Sequence, residues 1–266
     1  MRRRFFVDAF EGGRAVLRGD AAHHAGRVLR AEPGQLYELS DGRQVWLGRI
    51  ERVRPDAVEF SLVEAVPATL AALETLLALS MVRSERFEWA LEKATELGAA
   101  EIYPLAAARS ERGLVAGAAK RARRWEKILF EAAQQSRRLR PPMLHPVERS
   151  AAEFLRRGGA ARGLSLEDLS AAGAVCIGSP VLLFFSEERE APALRSVLEA
   201  ARRSHIVLLA FGPEGGWTEE EQRAAREGNW AQVSLGANIL RTETAVISAL
   251  AAVNYAWGTA EGEGHR

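Results

Sequence analysis

A chain of 266 residues, 47% of them hydrophobic, is long enough to bury a sizeable core in one large or two ordinary domains. A single cysteine, Cys176, excludes an internal disulfide and a thiolate zinc site, and no apolar run approaches the roughly 18 residues needed to cross a bilayer. The formal net charge is only +1, but it is unevenly placed: from Arg109 to Arg149 there are eleven basic residues against four acidic ones, and nearly all the basic ones are arginine.

Met1-Arg2-Arg3-Arg4 is basic, but Phe5-Phe6-Val7-Asp8 is too short an apolar run for a secretory signal, so a cytoplasmic protein is expected. The N-terminal part reads as β structure. Phe5 to Phe10 and Arg14 to Leu17 are short strands around Glu11-Gly12-Gly13. Asp20 to Arg30 is a short helical stretch with Asp20 as its N-cap. Leu36 to Leu39 leads into Asp41-Gly42, a hairpin turn, and Val45 to Val53 follows. After Pro55-Asp56, the residues Val58, Phe60 and Leu62 alternate with Glu59 and Ser61, the pattern of a half-buried strand. Several short strands with regular turns predict a small barrel, bounded by Pro67 and the alanine-rich stretch after it.

Beyond that boundary strands and helices alternate. Thr75 to Met81 is a buried strand. Glu85 to Leu97 is an amphipathic helix with Phe87, Leu91 and Ala94 on one stripe and Gly98 at its end. Ile102-Tyr103 begins another strand, and Lys120 to Arg138 is a long helix stopped by Pro141-Pro142. Ser150 with Glu153 makes a capping box. Ala160 to Gly178 has no clear period and reads as a loop or insertion. Val181 to Phe185 and His205 to Phe211 are nearly unbroken apolar runs, as parallel strands covered on both faces require. Thr218 with Glu221 caps a helix that Gly228 closes. Gln232 to Leu235 is the last strand and Glu243 to Trp257 the last helix, whose stripe Val246, Leu250, Val253 and Trp257 is either core or a subunit interface. This is an α/β sheet domain.

Two turns carry the chemistry. Gly212-Pro213-Glu214-Gly215-Gly216 and the run from Leu235 to Thr244 each follow an apolar strand, and paired turns at strand carboxyl ends make the crevice where open α/β sheets bind ligands. Gly215 and Gly216 let a ligand approach the backbone, and Pro213 stiffens the turn. Ile239 and Leu240 offer apolar walls, with Arg241 and Glu243 just after them. Neither run is GxGxxG or a Walker loop, which disfavours an ordinary dinucleotide or triphosphate. The arginine-rich stretch, including Lys120, Arg121, Arg123, Arg124, Lys127, Arg137, Arg138 and Arg140, reads either as a solvated helix face or as a phosphate-contacting surface. His24, Arg27 and Arg30 either touch RNA or form an ordinary surface. His23-His24 has no cysteine or carboxylate at ligand spacing, so no metal is expected. Cys176 reads as a small buried hydrophobe.

GPEGG followed by a Thr-capped acidic helix, then LGANILRTETA, resembles the SPOUT methyltransferases, and more narrowly the ribosomal RNA small subunit methyltransferase E family. Further matches are His24 to Arg30 with Pro33-Gly34 and Asp41-Gly42, then Glu92-Lys93-Ala94-Thr95-Glu96-Leu97-Gly98, Trp125-Glu126-Lys127-Ile128, and Glu131-Ala132-Ala133-Gln134-Gln135-Ser136. The resemblance implies a PUA-like β-barrel over residues 1–68 that binds RNA. It implies a SPOUT methyltransferase domain over residues 72–266, with a mainly parallel sheet, a trefoil knot, the cofactor site and a dimer interface.

The implied cofactor is S-adenosyl-L-methionine, held by Phe185, Ser186, Phe211, Gly212, Pro213, Glu214, Gly215, Gly216, Leu235, Gly236, Asn238, Ile239 and Leu240. The implied reaction is methylation of N3 of a uridine in 16S rRNA, free or in the 30S ribosomal subunit, by a homodimer without metal or membrane. Arg241 is the candidate cation that favours the uracil N3 anion, and Glu243 either orients Arg241 or stabilises the start of its helix; no general base stands out. The RNA-binding candidates are His24, Arg27, Arg30, Arg83, Arg121, Arg123, Arg124 and Arg137. Asn238 stands where the family usually has arginine, Arg83 where it often has lysine, and Ala160 to Gly178 is poorly matched. Two other functions compete: a SPOUT enzyme acting on tRNA or 23S rRNA, and a non-catalytic RNA-binding protein. The N-terminal barrel and the EKATELG segment argue against the first, and the intact turns against the second.

Overall fold

The structure is a computed structural model and describes residues 3–68, 73–158, 180–188, 190–201 and 204–258. Cys176 and the expected loop at 160–178 lie outside the described residues. The chain divides into two units: Met1–Leu70 with Phe130–Pro141, and Ala71–Leu129 with Pro142–Arg266. Phe130–Pro141, expected in the second domain, thus groups with the first.

In the first unit, β1 (Arg4–Phe6), β2 (Arg14–Arg18), β3 (Leu36–Ser40), β4 (Val45–Val53) and β5 (Ala57–Val66) form one sheet in the order β1-β3-β4-β5-β2. β1 pairs parallel with β3 and the other pairs are antiparallel. Glu11-Gly12-Gly13 therefore joins strands at opposite edges of the sheet. Asp41 Oδ1 accepts the amides of Arg43 and Gln44 at 2.8 and 2.7 Å, which closes the β3–β4 hairpin. Phe5, Leu17, Leu39, Ile50, Val58 and Phe60 fill the core. Gly48 lets Leu39 pack against the strand: a Cβ there would lie 2.4 Å from Leu39 Cδ1 and force that side chain to move.

The short helix α1 (Gly19–His23) runs into a π-turn, His24–Val28. Its N-cap is Arg18 rather than Asp20: Gly19, at φ +59, turns the end of β2 straight into the helix, so Asp20 falls in the first turn. The buried Arg4 pairs with Glu38 at 2.9 Å and donates to the Arg137 carbonyl at 2.5 Å, and Ser40 Oγ donates to the Leu139 carbonyl at 2.6 Å. These bonds fasten 137–139 to β1 and β3.

The second unit alternates strand and helix: β6 (Glu74–Ser80), α2 (Ser84–Glu96), β7 (Ala99–Leu105), α3 (Arg112–Gln135), β8 (Met143–Leu144), α4 (Ala151–Arg157), β9 (Val181–Phe185), α5 (Leu194–Ala200), β10 (Ile206–Phe211), α6 (Glu219–Glu227), β11 (Ala231–Val233) and α7 (Thr242–Trp257). The last residues of α3 fall in the stretch that groups with the first unit. The sheet order is β11-β9-β10-β6-β7-β8, and every pairing is parallel. Alternate strand residues feed two cores, as period-2 geometry requires. Leu77, Leu183, Val207 and Leu209 pack with α2, α3, α5 and α7, while Leu76, Leu182, Leu208 and Ala210 pack with α4, α6, Trp217 and Trp230.

Helix ends follow local chemistry. Gly98, at φ +96, stops α2. Thr218 and Glu221 form a full capping box on α6, whereas Ser150 only accepts the Glu153 amide, at 3.2 Å. The long helix α3 begins at Arg112, well before Lys120, and ends before the prolines. Arg137 at φ +56 is left-handed and already breaks it. Val246, Leu250, Val253 and Trp257 are buried in the core against α2 and the sheet, so this stripe is internal and not a subunit interface. Finally, β6, β7 and β8 follow one another outward, whereas β10 inserts between β6 and β9 and β11 adds outside β9. A crevice opens at the carboxyl ends of β9, β10 and β11, where open α/β sheets bind ligands.

Candidate active site

A cavity of about 800 Å³ occupies that crevice, within the range of roughly 300–1,000 Å³ typical of small-molecule sites. Three segments supply most of its lining: Phe185 to Glu188 at the end of β9, the glycine turn after β10, and Ser234 to Leu240 after β11. The rings of Phe185 and Phe211 stack at 4.4 Å and give an apolar wall. Trp217 ties two strand ends together. Its Nε1 donates to the Phe185 carbonyl at 2.9 Å, its ring stacks on Phe184, and Gly212 sits so close that a Cβ would be 3.0 Å from the indole. The Gly216 amide donates to the Pro213 carbonyl at 2.8 Å and closes the turn at φ +70. Gly236 has φ +125, and a Cβ there would meet no heavy atom within 4 Å. Thr242 Oγ1 donates to the Gly212 carbonyl at 3.1 Å and links the start of α7 to the β10 turn. Among the described residues, the amides of Ala237, Asn238, Ile239 and Leu240 have no protein partner.

The residues expected around a cofactor all line this cavity except Glu214. Glu214 instead pairs with Arg86 of α2. Arg86 also lies 3.7 Å from Glu243 Oε1. Glu243 is only 4% exposed, and its Oε2 has no hydrogen-bond partner. It faces Arg86, and among the described residues no hydrogen bond or ion pair joins it to Arg241. Arg241 is the N-cap residue of α7, exposed between the lining residues Leu240 and Thr242. Sequence reasoning missed the one cation among the described lining residues, Arg109, which follows β7. Its Nη1 donates to the carbonyls of Gly215 at 2.8 Å and Trp217 at 3.3 Å. The available signal was its position just past the carboxyl end of a strand in the same sheet.

The candidate RNA residues fall in both units. In the first, Arg27 and Arg30 are exposed, His24 has a ring nitrogen 3.1 Å from Arg3 Nη1, and Arg137 lies 3.5 Å from Glu38. Burial, with Arg140 adding repulsion, pulls the Arg138 guanidinium down to about 10. In the second, Arg83 and Arg123 are exposed, Arg124 pairs with Glu88 at 2.7 Å, and Arg121 is half-buried with Nη1 lacking a hydrogen bond. Among the described residues no helix is long and apolar enough to cross a membrane, and no cluster of three His, Cys, Asp or Glu is placed to hold a metal.

Comparison with known proteins gives a consistent result. Residues 69–254 match the RNA methyltransferase domain family. The chain is 31% identical over 242 residues to ribosomal RNA small subunit methyltransferase E of Bacillus subtilis (strain 168), covering 90% of this chain and 89% of that one. It is 34% identical over 259 residues to the protein of the same name from Mycobacterium bovis, covering 94% and 90%. A crystal structure of a ribosomal RNA small subunit methyltransferase E from Neisseria gonorrhoeae, bound to S-adenosyl methionine, superposes with a TM-score of 0.80 at 28% identity, covering 97% of this chain and 99% of that one. A parallel sheet with a cavity at its strand carboxyl ends, matched by relatives along nearly its whole length, places the chain in the ribosomal RNA small subunit methyltransferase E family.

Proposed function

We propose that this chain transfers a methyl group from S-adenosylmethionine to N3 of a uridine in 16S rRNA of the small ribosomal subunit. The observation that carries the reading is the cavity formed by two bare-backbone turns at the ends of parallel strands, in a chain that superposes on a relative bound to S-adenosyl methionine. The residues fit that cofactor. Phe185 and Phe211 suit an aromatic base, the unpaired amides from Ala237 to Leu240 suit its polar edge, and Gly236 leaves open space. When bound, S-adenosylmethionine supplies an electrophilic methyl group. The chain's own contribution is positioning, which supplies much of the rate of such a displacement.

Arg241 contacts the incoming nucleotide from the exposed start of α7. Glu243 braces that start through Arg86. The first unit, as a PUA-like barrel, binds RNA through His24, Arg27 and Arg30, and the second adds Arg83, Arg121, Arg123 and Arg124. The segment between β11 and α7 belongs to a trefoil knot. The protein is a cytoplasmic homodimer that pairs through the outer face of α7. There Thr244, Ser248, Ala251 and Tyr255 carry no charge, and Tyr255 is 88% exposed.

The test is methylation of 30S subunits from a strain lacking the corresponding gene, with nucleosides identified by mass spectrometry. The expected product is 3-methyluridine in 16S rRNA. Methylation confined to tRNA or 23S rRNA, or none, would overturn the reading.

A further inference from the structure

We propose that Arg109 is a catalytic residue of this site, contacting a carbonyl oxygen of the target uracil and favouring its N3 anion. The inference rests on the uridine-N3 reading above. Arg109 is the only cation among the described lining residues. Its position is fixed: Nη1 is held by the carbonyls of Gly215 and Trp217, and its stem packs so closely on Gly215 that a Cβ there would lie 3.3 Å from Arg109 Cβ. The preceding amide, of Ala108, is held by Glu221 Oε1 at 2.8 Å. Among the described residues, Nε and Nη2 have no partner, so donors remain for a ligand. A guanidinium offers donors and no acceptor, so Arg109 serves as a cation and donor and not as a base.

The chemistry needs such a group. The uracil N3–H bond must break before N3 can attack, and its proton leaves to water. The resulting charge spreads onto the flanking carbonyl oxygens, so a guanidinium on one carbonyl stabilises the anion while leaving N3 free. The N3 lone pair then forms the N–C bond to the methyl group as the C–S bond breaks and its electron pair returns to sulfur, giving a neutral thioether. An opposite charge close to a titrating group favours its charged form. Arg109 thus raises the fraction of uracil that is reactive near neutral pH.

Single-turnover methylation of unmethylated 30S subunits, followed from about pH 6 to 9, tests this. The rate of the parent protein should rise with pH and level off at the apparent pKa of the bound uracil. In Arg109→Ala that limb should move up by about one unit, with a loss of about tenfold near neutral pH. Arg109→Lys, which keeps the charge, should fall between, and added guanidine should partly restore Arg109→Ala. S-adenosylmethionine affinity is read alongside by calorimetry, because Arg109→Ala also removes the bonds to Gly215 and Trp217; the shift of the limb should persist at saturating S-adenosylmethionine. An unshifted limb, or a loss confined to S-adenosylmethionine affinity, would reduce Arg109 to a prop for the Gly215 turn and overturn the inference. If the parent protein makes no 3-methyluridine, the functional reading itself fails; activity in the parent with an unshifted limb in Arg109→Ala sinks only the role of Arg109.

Discussion

Glu221 ties the cap of α6 to the loop that carries Arg109, and replacing it with glutamine should expose that dependence. The carboxylate is 2% exposed and serves donors on both sides. Oε2 accepts the Thr218 amide at 2.8 Å and the Thr218 hydroxyl at 2.9 Å, and Oε1 accepts the Ala108 amide at 2.8 Å. A glutamine has one acceptor oxygen. Whichever way its amide turns, an NH₂ group meets either the Ala108 or the Thr218 N–H, and one buried donor is left unsatisfied. A hydrogen bond to a charged group contributes about 1.5–3 kcal/mol, so the loss should be about 2–3 kcal/mol. For a unit of this size that is a fall in melting temperature of about 5–10 °C, read by calorimetry at constant protein concentration. Thr218→Ala, which touches only the helix side, should cost about 1 kcal/mol. Glu221→Gln within about 2 °C of the parent would refute the view that the carboxylate carries both sides.

Gly236→Ala puts a side chain where φ is +125 without any clash, so its effect is strain on the turn. Strain of this kind costs about 1–3 kcal/mol, and S-adenosylmethionine affinity by calorimetry should fall about 5- to 150-fold while the fold persists; unchanged affinity would contradict this. Replacing Arg121, Arg123 and Arg124 together with serine should lower the slope of log affinity for rRNA against log salt by only one to two units, about one per lost phosphate contact, because Arg124 is already paired with Glu88. A fall near three would mean that the Glu88 pair opens on binding. Ala251→Glu should give monomers in sedimentation if the outer face of α7 joins two copies. Leu250→Glu, at a position with 0% exposure, should instead fail to yield folded protein, since an unpaired charge would be buried. Folded monomers from Leu250→Glu would contradict the internal packing of that stripe.

Local chemistry was legible where it was self-contained. Thr218 and Glu221 announce a helix start, Asp41-Gly42 a hairpin, and the runs at 181–185 and 206–211 buried strands, because each depends on residues close in sequence. The two turns that frame the cavity were legible for the same reason. Long-range pairing was not. Nothing in residues 4–6 announces a parallel partner at 38–40, and nothing in 137–139 announces bonds to Arg4 and Ser40. The early start of α3 was obscured by Gly113 and Gly117, poor helix formers whose cost is met by packing of Leu114 and Ala118. Arg109 lines the site and Arg86 pairs with Glu214 of the glycine turn, both from elements distant in sequence, so only the folded sheet brings them there.

The contact between Gly212 and Trp217 makes two positions behave as one. A methyl group at 212 would press into the indole at 3.0 Å, while a smaller ring at 217 would make room for it but give up the bond to the Phe185 carbonyl. Either change alone should strain or loosen the joint between β9 and β10. In a collection of diverged sequences these sites should therefore vary in concert. A variant carrying alanine at 212 should recover stability only when 217 shrinks with it, and the double-mutant cycle should be strongly non-additive.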